Sequence, residues 1–476
     1  MVEHARPDRI RNSPRAPWLL VGTVCVGAFM GQLDASVVTF ALPTMRSEFH
    51  ATLGAIEWVT LAYLVVLVGS VTVVGRVADL AGRKLVYTYG FGLFTVGSVF
   101  CGFAPNLLFL DGARVVQAVG AAMLQANSVA LIVRGVARGS LGKAIGIQGA
   151  SQAVGLALGP AVGGLLIGLG GWRLIFFINL PAGILGIVLG WLLLPRTRDI
   201  AKAGRFDWPG AMLLMPAVGA LLAALTFGRQ KGWDSPVILV MLIAAGAIGI
   251  AFILRERAAS DPIVRLQLFR RQDFAAGIAS GLLSYFVLFG VLFAVPFFMV
   301  SRGTGPGLAG IELAVLPVAL GSVAPVAGRL ADAFGPRWVT VIGMLVAAGG
   351  LCVMAVDHTS VLALLLELAA VGAGLGAFTP ANNAAIMGSV PPNAAGVAGG
   401  ILNMTRGIGM SLGIALTGLV FSLGDTAARG LLLAGYFLAA VCFSAAFLAA
   451  LRGPTDLGSS HGLGQVAVVG DVRRRP

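Results

Sequence analysis

The sequence predicts an all-α polytopic membrane protein built from two related halves, and three observations predict it. Hydrophobic residues make up 58% of the 476 positions, only 11% of the positions are charged, and the mean hydropathy is +0.92. A soluble domain of this size cannot bury so much apolar surface, so lipid must be the solvent for most of the chain. The apolar runs are also continuous instead of alternating with period two, which favours membrane-spanning helices over a barrel. The third observation is a polar decapeptide that occurs twice.

The predicted elements are fourteen membrane-spanning helices. Crossing a hydrocarbon core of about 30 Å takes about 20 apolar residues in a helix. In chain order the runs of that length are 18–42, 56–76, 85–104, 108–133, 144–168, 174–194, 209–228, 236–254, 274–300, 309–327, 338–356, 361–388, 396–422 and 430–451, which we number spans 1–14.

The charge distribution predicts the orientation of these spans. An even number of spans puts both termini on one side of the membrane. Of the 33 Lys and Arg residues, only six then fall in outer loops: Arg46, Arg173, Arg229, Lys231, Arg302 and Arg429. This bias predicts that both termini are cytoplasmic. It also accounts for the net charge of +13 without a nucleic-acid partner.

The two copies of the decapeptide show how the spans are organised. Gly75–Lys84 follows span 2 and Gly328–Arg337 follows span 10, 253 residues later. Similar glycine patterns occur in spans 5 and 13, so spans 1–6 pair with spans 9–14, and spans 7 and 8 form an insert. Duplicated halves that meet at a shared site are typical of secondary transporters. The predicted units are a tail (1–17), a first bundle (18–194), linkers with spans 7 and 8 (195–273), a second bundle (274–451) and a tail (452–476).

Five motifs follow one another along the chain. They are Leu33-Asp34 to Pro43, Gly75 to Lys84, Arg114-Val-Val-Gln117, Gly155 to Gly164, and Phe206 to Gly210. In this order and spacing, the chain resembles the major facilitator superfamily, specifically the fourteen-span drug:proton antiporter group of the EmrB/QacA type. The resemblance implies a major facilitator fold of two six-helix bundles plus two inserted central helices, in a bacterial cytoplasmic membrane. It also implies export of amphipathic or cationic drugs or antibiotics by alternating access, in exchange for protons.

Two opposite charges lie at similar depth in spans 1 and 4. Asp34 is nine residues before Pro43, about 13 Å in from the outer end, and Arg114 is about 10 Å into span 4 from the same side. Because an unpaired charge in hydrocarbon is costly, we expect an Asp34–Arg114 pair. The pair is either a static link between two spans or a coupling site. In the coupling interpretation, which the resemblance favours, Asp34 alternately holds a proton or a cationic substrate and Arg114 tunes its affinity.

Three further acids lie within predicted spans. Glu312 is in the outer part of span 10, Glu367 is about two turns into span 12, and Glu57 is near the outer end of span 2. A carboxyl in apolar surroundings can be neutral near pH 7, and so carry a proton or hold a lipophilic cation. This interpretation and a structural one remain open for Glu312 and Glu367, and the span-10 acids of the resembling family favour function for Glu312. Glu57 is interpreted as an interfacial residue that is wetted from outside.

Three other sets of residues complete the predicted machinery. Arg406 is about 16 Å into span 13, too deep to reach water easily, so it should face the cavity and meet an acid or a row of carbonyls in a structural or gating role. The glycines and proline of span 5 predict close helix packing and a bend. The repeated loops are expected to brace an inner gate, or to act only as positive-inside anchors. The residues are Gly155, Gly159, Pro160, Gly163 and Gly164 for the bend, and Gly75, Asp79, Gly82, Arg83, Gly328, Asp332 and Arg337 for the gating loops.

The sequence offers no pattern typical of an enzyme or a metal site. Its four cysteines and four histidines are scattered, without the spacing of metal ligands. The glycine-rich stretch 372–376 lies inside span 12 with no preceding strand, so it is not a phosphate loop, and we expect the proton gradient, with no cofactor, to supply the energy. The expected partners are an amphipathic small molecule, protons and the lipid bilayer, and we expect a monomer. The alternatives are an exporter of one endogenous metabolite or self-made antibiotic, and a membrane sensor or scaffold that transports nothing.

Overall fold

The computed structural model describes residues 7, 13–137, 140–197, 208–259, 264, 266–356, 360–390 and 395–452. These residues form helices and no strand. The long helices are α1 (Ala16–Glu48), α2 (Leu53–Ala81), α3 (Arg83–Gly102), α4 (Leu107–Gly135), α5 (Leu141–Gly170), α6 (Asn179–Leu193), α7 (Trp208–Lys231), α8 (Pro236–Ala258), α9 (Gln272–Ser301), α10 (Pro306–Phe334), α11 (Pro336–Val356), α12 (Val361–Gly388), α13 (Ala395–Phe421) and α14 (Ala427–Ala450). A one-turn helix, Leu174–Phe177, precedes α6, and a 3-10 turn, Leu266–Arg270, precedes α9.

The fourteen predicted spans correspond to these fourteen helices. Each of them, α6 being counted together with its preceding turn, is long and apolar enough to cross a membrane. The predicted fold class is therefore confirmed. Most of the predicted tails, 1–17 and 452–476, lies outside the described residues, as do residues 198–207 of the first linker.

Several helices are longer than the apolar runs that predicted them. The first run ends at residue 42, yet α1 continues through Pro43 to Glu48, and α2 begins at Leu53, before the second run. Thr52 caps α2, because its hydroxyl accepts a hydrogen bond from the backbone N–H of Ala55 at 3.3 Å. Hydropathy detects only the part of a helix that lies in hydrocarbon, so polar and capped ends are missed.

The duplicated loops end their helices in the same way. Gly82 follows α2 with a φ of 103°, and Gly335 follows α10 with a φ of 84°. A residue with a Cβ rarely adopts this conformation, so glycine is required where the chain turns directly into the next helix. The two decapeptides thus share a glycine at this position because both require a positive φ there.

The two halves meet at only one end of α5 and α10. We call the side where α1 begins and α14 ends the inner side. Near the outer ends, a Cβ on Gly164 of α5 would lie 2.9 Å from Cα of Gly310 on α10. Nearer the inner ends, a Cβ would meet nothing within 4 Å at four glycines of the same two helices: Gly146, Gly149, Gly321 and Gly328. At the described glycines α5 and α10 are in contact only near their outer ends, and we interpret this conformation as open inward.

The glycine-rich stretch of span 12 packs α12 between two neighbouring helices. A Cβ on Gly372 would meet the carbonyl group of Leu316 on α10, and one on Gly374 would lie 2.6 Å from the backbone nitrogen of Ala347 on α11. The two glycines lie on different faces of α12, and they allow the backbones of α10 and α11 to approach it closely.

We expect the Gly374→Leu substitution to lower the free energy of unfolding by about 1–3 kcal/mol, because the new side chain meets the backbone of α11. The matched control is Gly349→Leu on α11, where a Cβ meets nothing within 4 Å. Thermal unfolding of the purified variants in detergent measures the difference. Equal melting temperatures for the two variants would contradict the packing described here.

Candidate functional site: a buried charge network in the first half

Asp34 lies at the centre of a hydrogen-bonded network inside the first half. Its side chain is fully buried and forms an ion pair with Arg114, with Asp34 Oδ2 and Arg114 Nη1 2.6 Å apart. Asp34 Oδ1 accepts hydrogen bonds from Gln117 Nε2 at 2.8 Å and from Asn179 Nδ2 at 3.0 Å. The pair expected from the sequence is present. The network joins α1, α4 and α6 through one carboxylate.

The guanidinium of Arg114 is held by more than Asp34. Its Nε donates to the carbonyl oxygen of Val59 on α2 at 2.9 Å, and its Cζ lies 4.1 Å from the centre of the Tyr63 ring. Cation–π contact with this ring adds to the ion pair in a desolvated site. Arg114 Nη2 is nevertheless buried without a hydrogen-bond partner. Arg114, on α4, thus binds both α1 and α2, and its Nη2 group makes no hydrogen bond.

Gln117, Asn179 and Ser98 belong to the site, although the sequence did not predict their contact with Asp34. Ser98 on α3 accepts from Gln117 Nε2 at 3.1 Å and from Asn179 Nδ2 at 2.9 Å, and donates to the carbonyl oxygen of Phe176 at 2.9 Å. Gln117 is one turn after Arg114 in the span-4 motif, and this spacing is the signal that could have identified it. Asn179 and Ser98 come from other helices, where no pattern relates them to Asp34.

The partners of Asp34 form a site suited to a carboxylate. All its partners donate hydrogen bonds to the carboxylate, and the Arg114 cation balances its charge. Protonation would remove the ion pair and leave Arg114 as a buried charge without a counter-ion, which is strongly unfavourable.

The span-5 glycines connect this network to the second half. Ser36, two residues after Asp34, donates to the carbonyl oxygen of Leu156 on α5 at 2.9 Å. A Cβ on Gly159 of α5 would overlap the Ser36 hydroxyl, so α1 and α5 are in close contact. Gly155 and Gly163 face α1 as well, whereas Gly164 faces α10. α5 runs unbroken through Pro160.

The first gating loop is bound to its own half. Asp79 pairs with Arg83 at 2.7 Å, and Arg83 Nη1 donates to Asn127 Oδ1 on α4 at 3.1 Å. In the second copy, the guanidinium of Arg337 lies 5.4 Å from the Trp338 ring centre. The side chain of Asp332 lies outside the described part of the chain. Bracing between the halves remains a prediction for the outward-open state, since the inner side is open here.

The other acids lie away from the Asp34 network. Glu312 is buried on α10, two residues after Gly310 of the outer contact, and Glu367 is buried on α12. Glu57 is only 2% exposed, so its interpretation as a residue wetted from outside is wrong. The reason is that α13 covers it: Glu57 lies against Gly418, far away in the sequence.

Arg406 is half-buried in the middle of α13. Its Nη1 donates to Asn403 Oδ1 at 3.4 Å, and its Cζ lies 5.3 Å from the centre of the Tyr285 ring on α9. Its Nε is buried without a hydrogen-bond partner. Among the described residues it meets an amide and an aromatic ring, and not the acid or carbonyl row expected from the sequence.

A second polar cluster holds the inner ends of the second half together. Arg452, just after α14, donates to Ser280 Oγ on α9 at 3.1 Å and also to Asn382 Oδ1 on α12. Burial lowers the pKa of Arg452 to about 10, against the opposing charge of Asp273. The residue stays charged at neutral pH and ties three helices to one another.

Comparisons with known proteins agree with this architecture. A family model described as Major Facilitator Superfamily matches residues 24–209 and 277–476. The riboflavin transporter RibZ of Clostridioides difficile (strain 630) is 33% identical over 402 residues, which cover 84% of this chain and 87% of RibZ. The multidrug resistance protein Stp of Mycobacterium tuberculosis (strain ATCC 25618 / H37Rv) is 35% identical over 402 residues, covering 83% of this chain and 74% of Stp.

A solved structure shares the fold. It is a bacterial homolog of the human lysosomal transporter Spinster in an inward-facing and unoccupied conformation. The TM-score is 0.68 at 18% identity, and the match covers 92% of this chain and 97% of that one.

Proposed function

The chain belongs to the major facilitator superfamily of membrane transporters, and we propose that it is a proton-coupled exporter of amphipathic or cationic drugs or antibiotics. The observation that carries the proposal is the fully buried Asp34 carboxylate, held by Arg114, Gln117 and Asn179 inside the first half. A buried carboxylate that cannot accept a proton without rearranging three helices is suited to couple protonation to movement. Similarity to a multidrug resistance protein supports drugs as substrates.

The coupling follows from the contacts of α1. In the inward-open state Asp34 is unprotonated and its ties to α4 and α6 are made. A proton bound from outside in the outward-open state would keep these contacts broken. Its release to the inside would let them form and shift α1, which carries Ser36 against Gly159 of α5. α5 in turn contacts α10 through Gly164. Protonation at Asp34 thereby acts on the contact that opens and closes the outer side, with Glu312 two residues after Gly310 as a further candidate proton carrier.

Energised inverted vesicles test this proposal, with wild type and Asp34→Asn compared. We expect lipophilic cations to collapse the pH gradient in wild-type vesicles and to leave it intact in Asp34→Asn vesicles, because asparagine cannot exchange a proton. The control is Glu48→Gln, which removes another acid of the first half that is paired with an arginine (Glu48–Arg173, 2.6 Å) but lies at the outer surface. Equal proton release by wild type and Asp34→Asn would remove Asp34 from the coupling path.

One observation favours the alternative of a dedicated exporter of a single compound. Arg406 presents a guanidinium next to Tyr285, and no acid pairs with it among the described residues. A substrate with an aromatic body and an acidic group fits this site better than a cation does. A panel that includes aromatic acids separates the two functions, since a response confined to one acidic compound supports the dedicated exporter.

A further inference from the structure

Glu57 lies in the contact that closes the outer side. It is in the second turn of α2, and its carboxyl faces the backbone of α13 in the other half. A Cβ at Gly418 would come within 2.8 Å of Glu57 Cδ, so the Glu57 carboxyl lies directly against the backbone of α13. The neighbouring Trp58 donates from Nε1 to Thr226 Oγ1 on α7 at 3.1 Å, and its ring stacks on Phe227. The inserted helix α7 thus shields this part of the contact.

The pocket around Glu57 offers its carboxyl little polar compensation. Glu57 Oε2 is buried without a hydrogen-bond partner. An ionised carboxylate enclosed in this way is strongly unfavourable, whereas the neutral acid is tolerated.

The charged groups on the packed helices do not neutralise Glu57. They are Asp34, Arg46 and Glu48 on α1, His50 in the loop before α2, Arg76 and Asp79 on α2 itself, Arg83 and Lys84 at the inner end of α3, Asp111, Arg114 and Arg134 on α4, Lys231 at the end of α7, and Arg406 on α13. Arg114 is committed to Asp34, and Arg83 to Asp79. Among the described residues none of these groups forms an ion pair with Glu57.

We propose that Glu57 is a second proton-binding site, which takes up a proton from the outside water each time the outer side closes. When the halves separate, the carboxyl meets water and releases its proton to the same side; when they close, a carboxylate and a proton form the neutral acid that the contact encloses. The proton is not carried across the membrane. Outside pH therefore biases the protein between outward-open and inward-open, independently of Asp34 and of any substrate, which goes beyond the proposed function.

The direction of the effect follows from the proton count. A water-exposed glutamate ionises with a pKa of about 4.3, so above that pH the open state carries the carboxylate. Closure then binds one proton, and each unit fall in pH favours the closed state about tenfold.

Spin labels at Ser47 and Leu423 measure this equilibrium. Both positions are exposed, at the outer ends of opposite halves, and the labels are placed on a background without the four native cysteines. The ratio of short to long distances in nanodiscs, without substrate, is recorded from about pH 5 to about pH 8, where an exposed glutamate is ionised. In the Asp34→Asn background we expect the ratio to fall about tenfold per pH unit. We expect Glu57→Gln to remove the dependence and to hold the short distance throughout.

Two variants make the result decisive. Glu48→Gln, which changes an exposed outer acid of the same half, should keep the pH dependence. Glu57→Met, an apolar substitute of similar length, should behave like Glu57→Gln, and it replaces that variant if the latter does not fold. A slope that persists without Glu57, or one that disappears with Asp34→Asn, overturns the proposal. The proposed function is judged separately, by the vesicle assay.

Discussion

A leucine in place of Gly164 is expected to abolish transport while each half remains folded. Gly164 is where α5 meets α10 across the outer contact, and its Cβ would lie 2.9 Å from Cα of Gly310. The obstacle is backbone, which cannot move aside as a flexible side chain can. An overpacking cost of about 1–3 kcal/mol shifts an equilibrium between two states about 5- to 150-fold. Because this contact forms only when the outer side closes, the substitution raises the free energy of the inward-open state and leaves that of the outward-open state unchanged.

The measurement is the outer distance between spin labels on Ser47 and Leu423, together with transport into vesicles. We expect the long distance to predominate in Gly164→Leu. The control is Gly168→Leu, one turn further along α5, where a Cβ meets nothing within 4 Å. Gly159→Leu should differ from both variants. Gly159 contacts α1 within the first half, so this substitution should lower the free energy of unfolding. If Gly164→Leu transports like wild type, the α5–α10 contact is not part of the closed outer side.

The second large effect concerns the buried ion pair. Replacing Arg114 by methionine removes the only cation that pairs with Asp34 among the described residues. Loss of one partner of a buried pair typically costs about 3–5 kcal/mol, because the other charge stays buried without compensation. We therefore expect Arg114→Met to be much less stable than wild type in denaturant unfolding in detergent, and to release no protons in response to substrate.

The double variant Arg114→Met with Asp34→Asn separates a static pair from a coupling pair. Asparagine is neutral and can still accept hydrogen bonds from Gln117 and Asn179, so most of the lost stability should return. If the pair couples protons, the restored protein still releases none. Substrate-driven proton release by the double variant would show that the pair only holds α1 and α4 together.

Parts of this site were predictable and parts were not. Asp34 and Arg114 could be paired from the sequence because both charges lie inside apolar runs, at similar depth and of opposite sign. Ser98 and Asn179 carry no such signal, because a neutral polar residue in a span has many ordinary roles. Their position next to Asp34 depends on how α3 and α6 pack, which helical spacing in one segment does not determine.

Two charged residues show the limit more clearly. Glu57 is near the end of a span, where depth alone predicts contact with water. In the structure α13 covers its carboxyl at Gly418, and α7 contacts the neighbouring Trp58, so water is excluded. Arg406 is deep in a span, where depth alone predicts a counter-charge, but Tyr285 and Asn403 are its neighbours. In both cases the depth of the residue in the membrane could be predicted from the sequence. The side chains and backbone around it come largely from another helix, α13 for Glu57 and α9 for Arg406.

The fourteen helices and the superfamily could be predicted from the sequence, because hydropathy and residue spacing are properties of each segment. The division into two related halves, which rests on the repeated loop, stays a prediction. Contacts between helices show which polar groups meet Asp34, that Glu57 is enclosed, and that α5 and α10 touch near their outer ends. The physical reason is that burial and hydrogen bonding depend on contacts between helices far apart in the chain. In a membrane these contacts depend on small residues and single polar pairs, and not on a hydrophobic pattern.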